Sequence, residues 1–326
     1  MGQIASGREP SEPFVLFLWT NDDDTLRAER TKVALCLHQR LLQTRGFSCH
    51  TICRHDILQP ASAAKTKICP SLVENCLSSA GLRETHSPLQ SIALVSENFE
   101  MEFRDILRNW NLRLPSSWEI LRPQYFIIRS VLSSVQSYQE LLESCRNYLP
   151  NSPEESINCE DSEKLVKFLT LCQIFGTSLG KSVDLSRYCA QESAVFIMYN
   201  YARICGILEA LKARPDLTLP PIYSLDSNHW AELQNLHDVQ KLVQFLHKLL
   251  LLLRNKPLPG DFRVVAWLDQ LTHIFSRFYG RVKVLIPCAE GELSQTIYCR
   301  VYAILLVKKM YEFLFWLLDV EPLSKM

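Results

Sequence analysis

The sequence predicts an α/β domain at the N-terminus followed by an all-α helical bundle. Three observations predict this. Short apolar runs alternate with helical periodicity through residues 1–150. A polar, Pro-containing stretch, "YLPNSPEESINCEDSE" (148–163), then interrupts the chain. Beyond it nearly every segment has the apolar spacing of a helix.

The elements follow in order. "FVLFLW" (14–19) is a short continuous apolar run, as in a parallel strand buried on both faces. "TNDDDT" offers a helix cap. In the helix that follows, Val33, Leu37 and Leu41 share one face, and Gly46 is the stop. "FSCHTICRH" then alternates as a second, buried strand, which completes a βαβ unit. Residues 57–90 give mixed signals. "SIALVS" (91–96) and "QYFIIRSVL" (124–132) are further strands, and the helical "EMEFRDILRNW" lies between them. The later helices are expected over 162–180, 194–213, 229–256, 261–280 and 293–318, some separated by "RPDLTLPP" and "NKPLPGD". Within "FIMYNYARICGILEAL" (196–211), Ile197, Tyr201, Ile204, Leu208 and Leu211 form the core-facing stripe, and Tyr199, Asn200 and Arg203 form a polar back.

Composition narrows the classes of function. Apolar residues make up 47% and charged residues 21% of 326, which is a packed chain and not a disordered one. Net charge is zero, so attraction to nucleic acid or membrane must come from a local patch. Twelve scattered cysteines without a signal peptide point to reduced thiols and a cytoplasmic location. Met1-Gly2 with Ser6 matches the short myristoylation pattern. "LVQFLHKLLLLL" (242–253) holds His247 and Lys248 and is too short to span a bilayer, so no membrane partner is expected. Cys49, His50, Cys53 and His55 invite a zinc reading. Strand alternation puts the two cysteines on one face and His50 on the other, and no second ligand pair follows, so no metal is expected. Gly-rich phosphate loops and GxSxG are absent. No cofactor is expected.

One patch stands out. Residues 241–309 hold eleven Lys or Arg against four Asp or Glu. Within it, "FSRFYGRVK" interleaves rings and cations: Arg277, Arg281 and Lys283 suit phosphates, and Tyr279 or Phe278 suits a splayed base, while Phe275 is core. Lys308 and Lys309 interrupt an apolar helix and reach for solvent. Arg203, one turn after Tyr199, suits a phosphate or a carboxylate equally.

The last sixty or so residues carry a further pattern. "VAWLDQLTHIFSRFYGRVKVL" resembles the helix and turn of the DALR anticodon-binding domain of arginyl-tRNA synthetases, and "ELSQTIYCRVYAILLVKKMYEFLFWLLDVEPLSKM" resembles its closing helix, with Asp319 where Gly is usual. "YNYARICGIL" resembles the opening helix, and "FGTSLGKSVDLS" the turn upstream. Residues 165–326 are covered in the family's order. The front half is similar only to the helix and strand that follow the synthetase His-Ile-Gly-His signature. That signature is missing: "WTNDDDT" stands in its place, and Asp22, Asp23 and Asp24 would repel ATP. "RSVLSSVQS", at the position of the second signature loop, has no Lys, and the terminal "LSKM" is too late in the chain to serve.

The chain is thus similar to a small eukaryotic family that joins a DALR domain to a degenerate synthetase body. The resemblance implies a degenerate Rossmann-like domain over 1–150, a helical connector over 151–191 and a DALR domain over 192–326. It implies a non-catalytic adapter that selects arginine tRNAs and presents them to a tRNA 3-methylcytidine methyltransferase. It implies tRNA contacts at Arg203, Arg277, Tyr279, Arg281, Lys283, Lys308 and Lys309. The alternatives are an arginyl-tRNA synthetase-like enzyme and a protein-interaction scaffold.

Overall fold

The computed structural model describes residues 13–20, 25–59, 67–68, 70–79, 89–108, 110, 120–121, 123–129, 131–133, 135, 137–148, 159–185, 191–213, 218–225, 230, 237–254, 263–282 and 295–326. The chain forms two compact units. The first takes residues 1–139, 177–184 and 256–262, and the second takes 140–176, 185–255 and 263–326.

The first unit is built on a parallel sheet ordered β2-β1-β5-β6, with β1 Pro13–Trp19, β2 Ser48–Cys53, β5 Gln90–Ser96 and β6 Gln124–Ile128. β1 pairs with β2 (Leu16 opposite Thr51) and with β5 (Leu16 opposite Ile92). Val15, Leu16, Phe17 and Trp19 are all fully buried, because β1 is central and covered on both faces. β2 is an edge strand. Thr51 is exposed and Ile52 buried, so it is half-covered where the sequence suggested a buried strand.

Helix α1, Leu26–Thr44, packs on β1, β2, β5 and β6. Thr25 caps it, its Oγ1 accepting from the Ala28 amide at 3.2 Å. Gly46 ends it at φ 87°, a left-handed conformation that glycine adopts without steric cost. On the other face, the odd-numbered residues of β1 meet α3 (Pro70–Ser79) and α4 (Glu100–Arg108) through Val73, Leu77, Phe103 and Leu107. Trp19 meets Phe103 edge-on at 4.9 Å. The ambiguous 57–90 region begins at the end of α2 (Arg54–Ile57) and holds the two-residue strands β3 (Leu58–Gln59) and β4 (Lys67–Ile68), and α3.

Two ionisable side chains of α1 are fully buried. His38 lies against Phe126 with ring centroids 5.6 Å apart, and its Nδ1 sits 2.7 Å from the Ala34 carbonyl. That contact needs an N–H on Nδ1, while Nε2 has no partner. Burial lowers the pKa of this ring, and the backbone hydrogen bond only partly opposes it. The folded state therefore binds fewer protons than the unfolded chain below the ordinary value of 6.5. Stability contributed by neutral His38 is complete above that pH and is lost as pH falls through the folded value. His38→Leu should flatten this acid limb, measured as urea midpoints at neutral and mildly acidic pH. An unchanged slope would remove His38 as its source.

Arg30 is the second. Its Nη1 donates to the carbonyls of Arg129 (2.7 Å) and Lys181 (2.9 Å), and its Nη2 to that of Ser178 (3.0 Å) and more weakly to Thr177 Oγ1 (3.4 Å). These acceptors lie on segments far from α1 in sequence. One of them leads into β7 (Val131–Leu132), which pairs with β8 (Val183–Asp184).

The second unit is helical: α5 Tyr138–Tyr148, α6 Cys159–Phe175, α7 Gln191–Lys212, α8 His237–Arg254, α9 Val264–Arg281 and α10 Gln295–Leu317. α6 was expected to reach 180 but stops at Phe175. Gly176, Thr177 and Ser178 are weak helix formers, and carbonyls beyond them go to Arg30. The stripe Ile197, Tyr201, Ile204, Leu208 and Leu211 of α7 is buried. α7 has the length and apolar composition of a membrane span, but most of it is buried within the bundle. The core centres on Phe315, which meets Phe168 at 5.1 Å and Tyr201 at 5.8 Å. Buried Tyr311 donates to Thr272 Oγ1 at 2.6 Å.

α10 ends in a paired cap. The Val320 amide bonds the Phe315 carbonyl at 3.1 Å and the Asp319 amide bonds that of Trp316 at 3.1 Å. Asp319 takes φ 58° there, a left-handed conformation that Gly adopts most easily and Asp tolerates.

Candidate nucleic-acid interface

Three helices of the second unit bring most of the cations and rings together. On α7, Phe196, Tyr199 and Arg203 repeat at i, i+3 and i+7 and share a face. The Arg203 guanidinium lies 4.6 Å from the Tyr199 ring centroid and donates to the Tyr199 hydroxyl at 2.6 Å. It also lies 5.4 Å from the ring centroid of Tyr279 on α9. Tyr279 in turn stacks on buried Phe275 at 6.0 Å. The guanidinium is thus within cation–π reach of both rings, and Tyr199 remains 43% exposed.

Asn200 departs from the expected polar back. It is fully buried, and its Nδ2 donates to the Phe196 carbonyl at 2.8 Å. An asparagine that bonds its own helix one turn back can enter the core without a partner from another element. Phe278, a candidate for stacking, is also buried and serves the core.

One turn along α9, His273 meets Phe196 at 5.4 Å and lies 3.7 Å from Asp269. Here begins a groove of about 430 Å3 between α8 and α9. Phe245 and Ile274 form its apolar floor. Lys241, Lys248, Arg277 and His273 line its sides, with Gln244, Gln270 and a single carboxylate, Asp269. Lys241, Lys248 and Arg277 form no ion pair with a described residue. Lys241 and Lys248 fell within the basic region of the sequence. The count alone could not single them out, because the groove depends on how α8 packs against α9.

Other candidate cations are engaged. Arg281 pairs at 2.8 Å with Asp238, which is buried in the first turn of α8. Arg281→Ala should cost about 1–2 kcal/mol in chemical denaturation. That is less than a fully buried pair would lose, because the arginine end faces solvent. Arg277→Ala should cost close to nothing, and equal losses would contradict the assignment. Lys308 and Lys309 both bind Glu312, at 3.3 and 2.7 Å. Burial alone would raise the Glu312 carboxyl, but the hydrogen bonds from Lys309 and Lys308 outweigh it and hold the group below the ordinary range. Lys283 lies outside the described residues.

The first unit has its own strand-end site. In open parallel sheets, ligands bind beyond the carboxyl ends of the strands, where the strand order reverses. In this sheet that point lies between β1 and β5. Trp19, the last residue of β1, is fully buried on the face covered by α3 and α4, and its Nε1 donates to Glu102 Oε1 at 2.9 Å. Arg54 grips both Glu102 oxygens, at 2.8 and 2.9 Å, and lies 4.4 Å over the Phe99 ring. Burial raises the Glu102 carboxyl, but the bonds from Arg54 and Trp19 prevail and keep it low. Arg129 is likewise taken by Glu97 (2.9 Å) and Glu100 (3.5 Å). Asp22, Asp23 and Asp24 lie outside the described residues, as does part of the segment after β7. Among the described residues no three His, Cys, Asp or Glu side chains form a metal cluster.

No protein-family profile and no curated protein matches the chain. Its fold is similar to that of solved arginyl-tRNA synthetases. The enzyme from Thermus thermophilus aligns with a TM-score of 0.50 at 13% identity over 96% of this chain. That from Plasmodium falciparum aligns with a TM-score of 0.48 at 14% identity over 94% of this chain. The chain spans 60% of the length of each. At such identity the likeness, carried by the Thermus enzyme, is one of fold: an α/β region followed by a helical region, in the same order.

Proposed function

We propose that this protein is a cytoplasmic, non-catalytic tRNA-binding adapter. It takes arginine tRNAs on the helical unit and presents them to a tRNA 3-methylcytidine methyltransferase. The observation that carries the reading is the surface of α7, α8 and α9, where three cations that form no ion pair with a described residue line a groove and an arginine lies within reach of two tyrosine rings. The synthetase-like fold and the resemblance of the helical segments to a DALR domain support tRNA as the nucleic acid.

The chemistry follows from charge and ring geometry. Lys241, Lys248 and Arg277 neutralise successive backbone phosphates and release counterions. Tyr199 offers a ring face to an unpaired base, a contact that does not depend on base identity. Arg203, already held by the Tyr199 hydroxyl and close to two rings, loses little freedom when it meets a phosphate.

The strand-end residues support the absence of adenylate chemistry. A nucleotide phosphate entering there would find Arg54 and Arg129 already engaged by Glu102, Glu97 and Glu100. Amino-acid activation needs the opposite polarity, donors and cations aimed at phosphates. Filter binding of arginine tRNA transcripts over a salt series, beside arginine-dependent pyrophosphate exchange, tests the proposal. Binding that weakens with salt, prefers arginine tRNAs and brings no exchange is the expected result. Exchange above background would make the protein an enzyme. Equal weak binding to every RNA would leave a scaffold. Co-purification of methyltransferase activity tests the presenting role.

A further inference from the structure

Residues 218–225, "TLPPIYSL", join α7 to α8 and take no part in the surface described above. Their conformation is set by proline. Leu219 and Pro220 each precede a proline, which pushes both toward extended backbone, and the rings fix φ at Pro220 and Pro221. Pro221 has φ −56° and ψ 140°, the polyproline II values. Ile222–Ser224 then closes a single 3-10 turn, with the Ser224 amide bonding the Pro221 carbonyl at 2.9 Å. The turn carries Tyr223 outward.

The segment is displayed and also fastened. Tyr223 is 88% exposed, Ile222 54% and Leu219 37%. No other described aromatic side chain is so open to water. Meanwhile the Tyr302 hydroxyl of α10 donates to the Pro220 carbonyl, and Ser224 Oγ bonds the Pro221 carbonyl at 2.7 Å. Backbone polar groups are thereby satisfied inward, and the rings of Pro221 and Tyr223 stand on the outside. A loop with no partner ordinarily turns polar residues outward. This one turns a proline, an isoleucine and a tyrosine outward on a backbone that is already ordered.

We infer that Pro220-Pro221-Ile222-Tyr223 is a docking site for a proline-reading domain of the WW type. Such domains receive a preformed polyproline II segment in a groove lined by aromatic rings. The sequence pro-pro-x-tyr supplies two prolines for that groove and a tyrosine ring for a neighbouring pocket. The order of features here matches that need: polyproline II through Pro221, then a turn that sets Tyr223 off the helix axis. Fastening by Tyr302 fixes the ligand conformation before binding, so less ordering entropy is lost on association. Phosphate on Tyr223 would add charge to a ring that must enter an apolar pocket, and would oppose docking.

The test uses the full chain and a purified WW domain of the class selective for pro-pro-x-tyr, by isothermal titration. The parent chain should bind with one-to-one stoichiometry. Tyr223→Ala and Pro221→Ala should each weaken binding by about tenfold or more, and Tyr223→Ala should leave the thermal midpoint unchanged, since its side chain faces water. A free peptide spanning 218–225 should compete. Three results would overturn the inference: binding unaffected by either substitution, peptide binding without binding of the full chain, or self-association of the parent that Tyr223→Ala abolishes. The last would assign the patch to a second copy of this chain.

Discussion

Arg30→Met lowers the unfolding free energy of the first unit by an expected 3–4 kcal/mol or so, measured by urea denaturation. Three carbonyls lie within 3.0 Å of its guanidinium nitrogens, and a hydrogen bond from a charged donor is worth about 1.5–3 kcal/mol. The simple sum overshoots, because burying the cation has its own cost. Burial lowers its pKa to about 10, so the group stays charged at neutral pH but is partly desolvated. Its Nε also lacks a partner. Methionine recovers that desolvation and fills much of the space, but leaves the carbonyls of Arg129, Ser178 and Lys181 without their donor. Arg30→Lys should fall between, since an ammonium cannot span acceptors placed for a planar fork. Hydrogen exchange should report faster amides in 177–184. A loss below about 1 kcal/mol for Met would mean that water replaces the guanidinium at no cost.

The second large effect concerns binding. Replacing Lys241, Lys248 and Arg277 together by alanine should reduce affinity for arginine tRNA about 100-fold near 0.1 M salt. It should also flatten the plot of log affinity against log salt by about 2, at roughly 0.7 per single-strand phosphate contact. The three side chains form no ion pair with described residues, so stability should hold. An unchanged salt slope would place the RNA elsewhere, whatever the change in affinity. Arg203→Ala and Tyr199→Ala should lower affinity by a smaller factor and leave the slope nearly intact for Tyr199, because stacking releases no counterions.

Much of the fold was legible because its signals are local. β1 reads as a continuous apolar run since both of its faces are covered, and α1 announces itself by Thr25, its apolar face and Gly46. α5 did not, because only Leu141 and Cys145 of its eleven residues are buried and its polar remainder looks like linker. The short elements of 54–79 are set by packing against the sheet and have no periodicity to read. At the interface, Arg277 and Tyr279 were visible as an alternation of cation and ring. The pairing of Arg203 with Tyr279 was not, since it depends on how α7 crosses α9. Arg281 looked available because its partner, Asp238, is on another helix. The engagement of Lys308 and Lys309 was in plain view: Glu312 follows at i+4 and i+3.

The collar around Arg30 also sets an order of events during synthesis. Residues 1–139 emerge from the ribosome first, yet two of the three backbone acceptors for this buried cation, Ser178 and Lys181, come after the whole of α5 and α6. Until residue 184 has been translated, β7 also lacks β8. The nascent α/β unit must wait with a guanidinium still short of two of its carbonyl acceptors, open to water or to a chaperone, while the first two helices of the other unit pass. A fragment cut at the apparent linker would keep that vacancy permanently, so the two halves of this protein are better expressed as one polypeptide than as pieces.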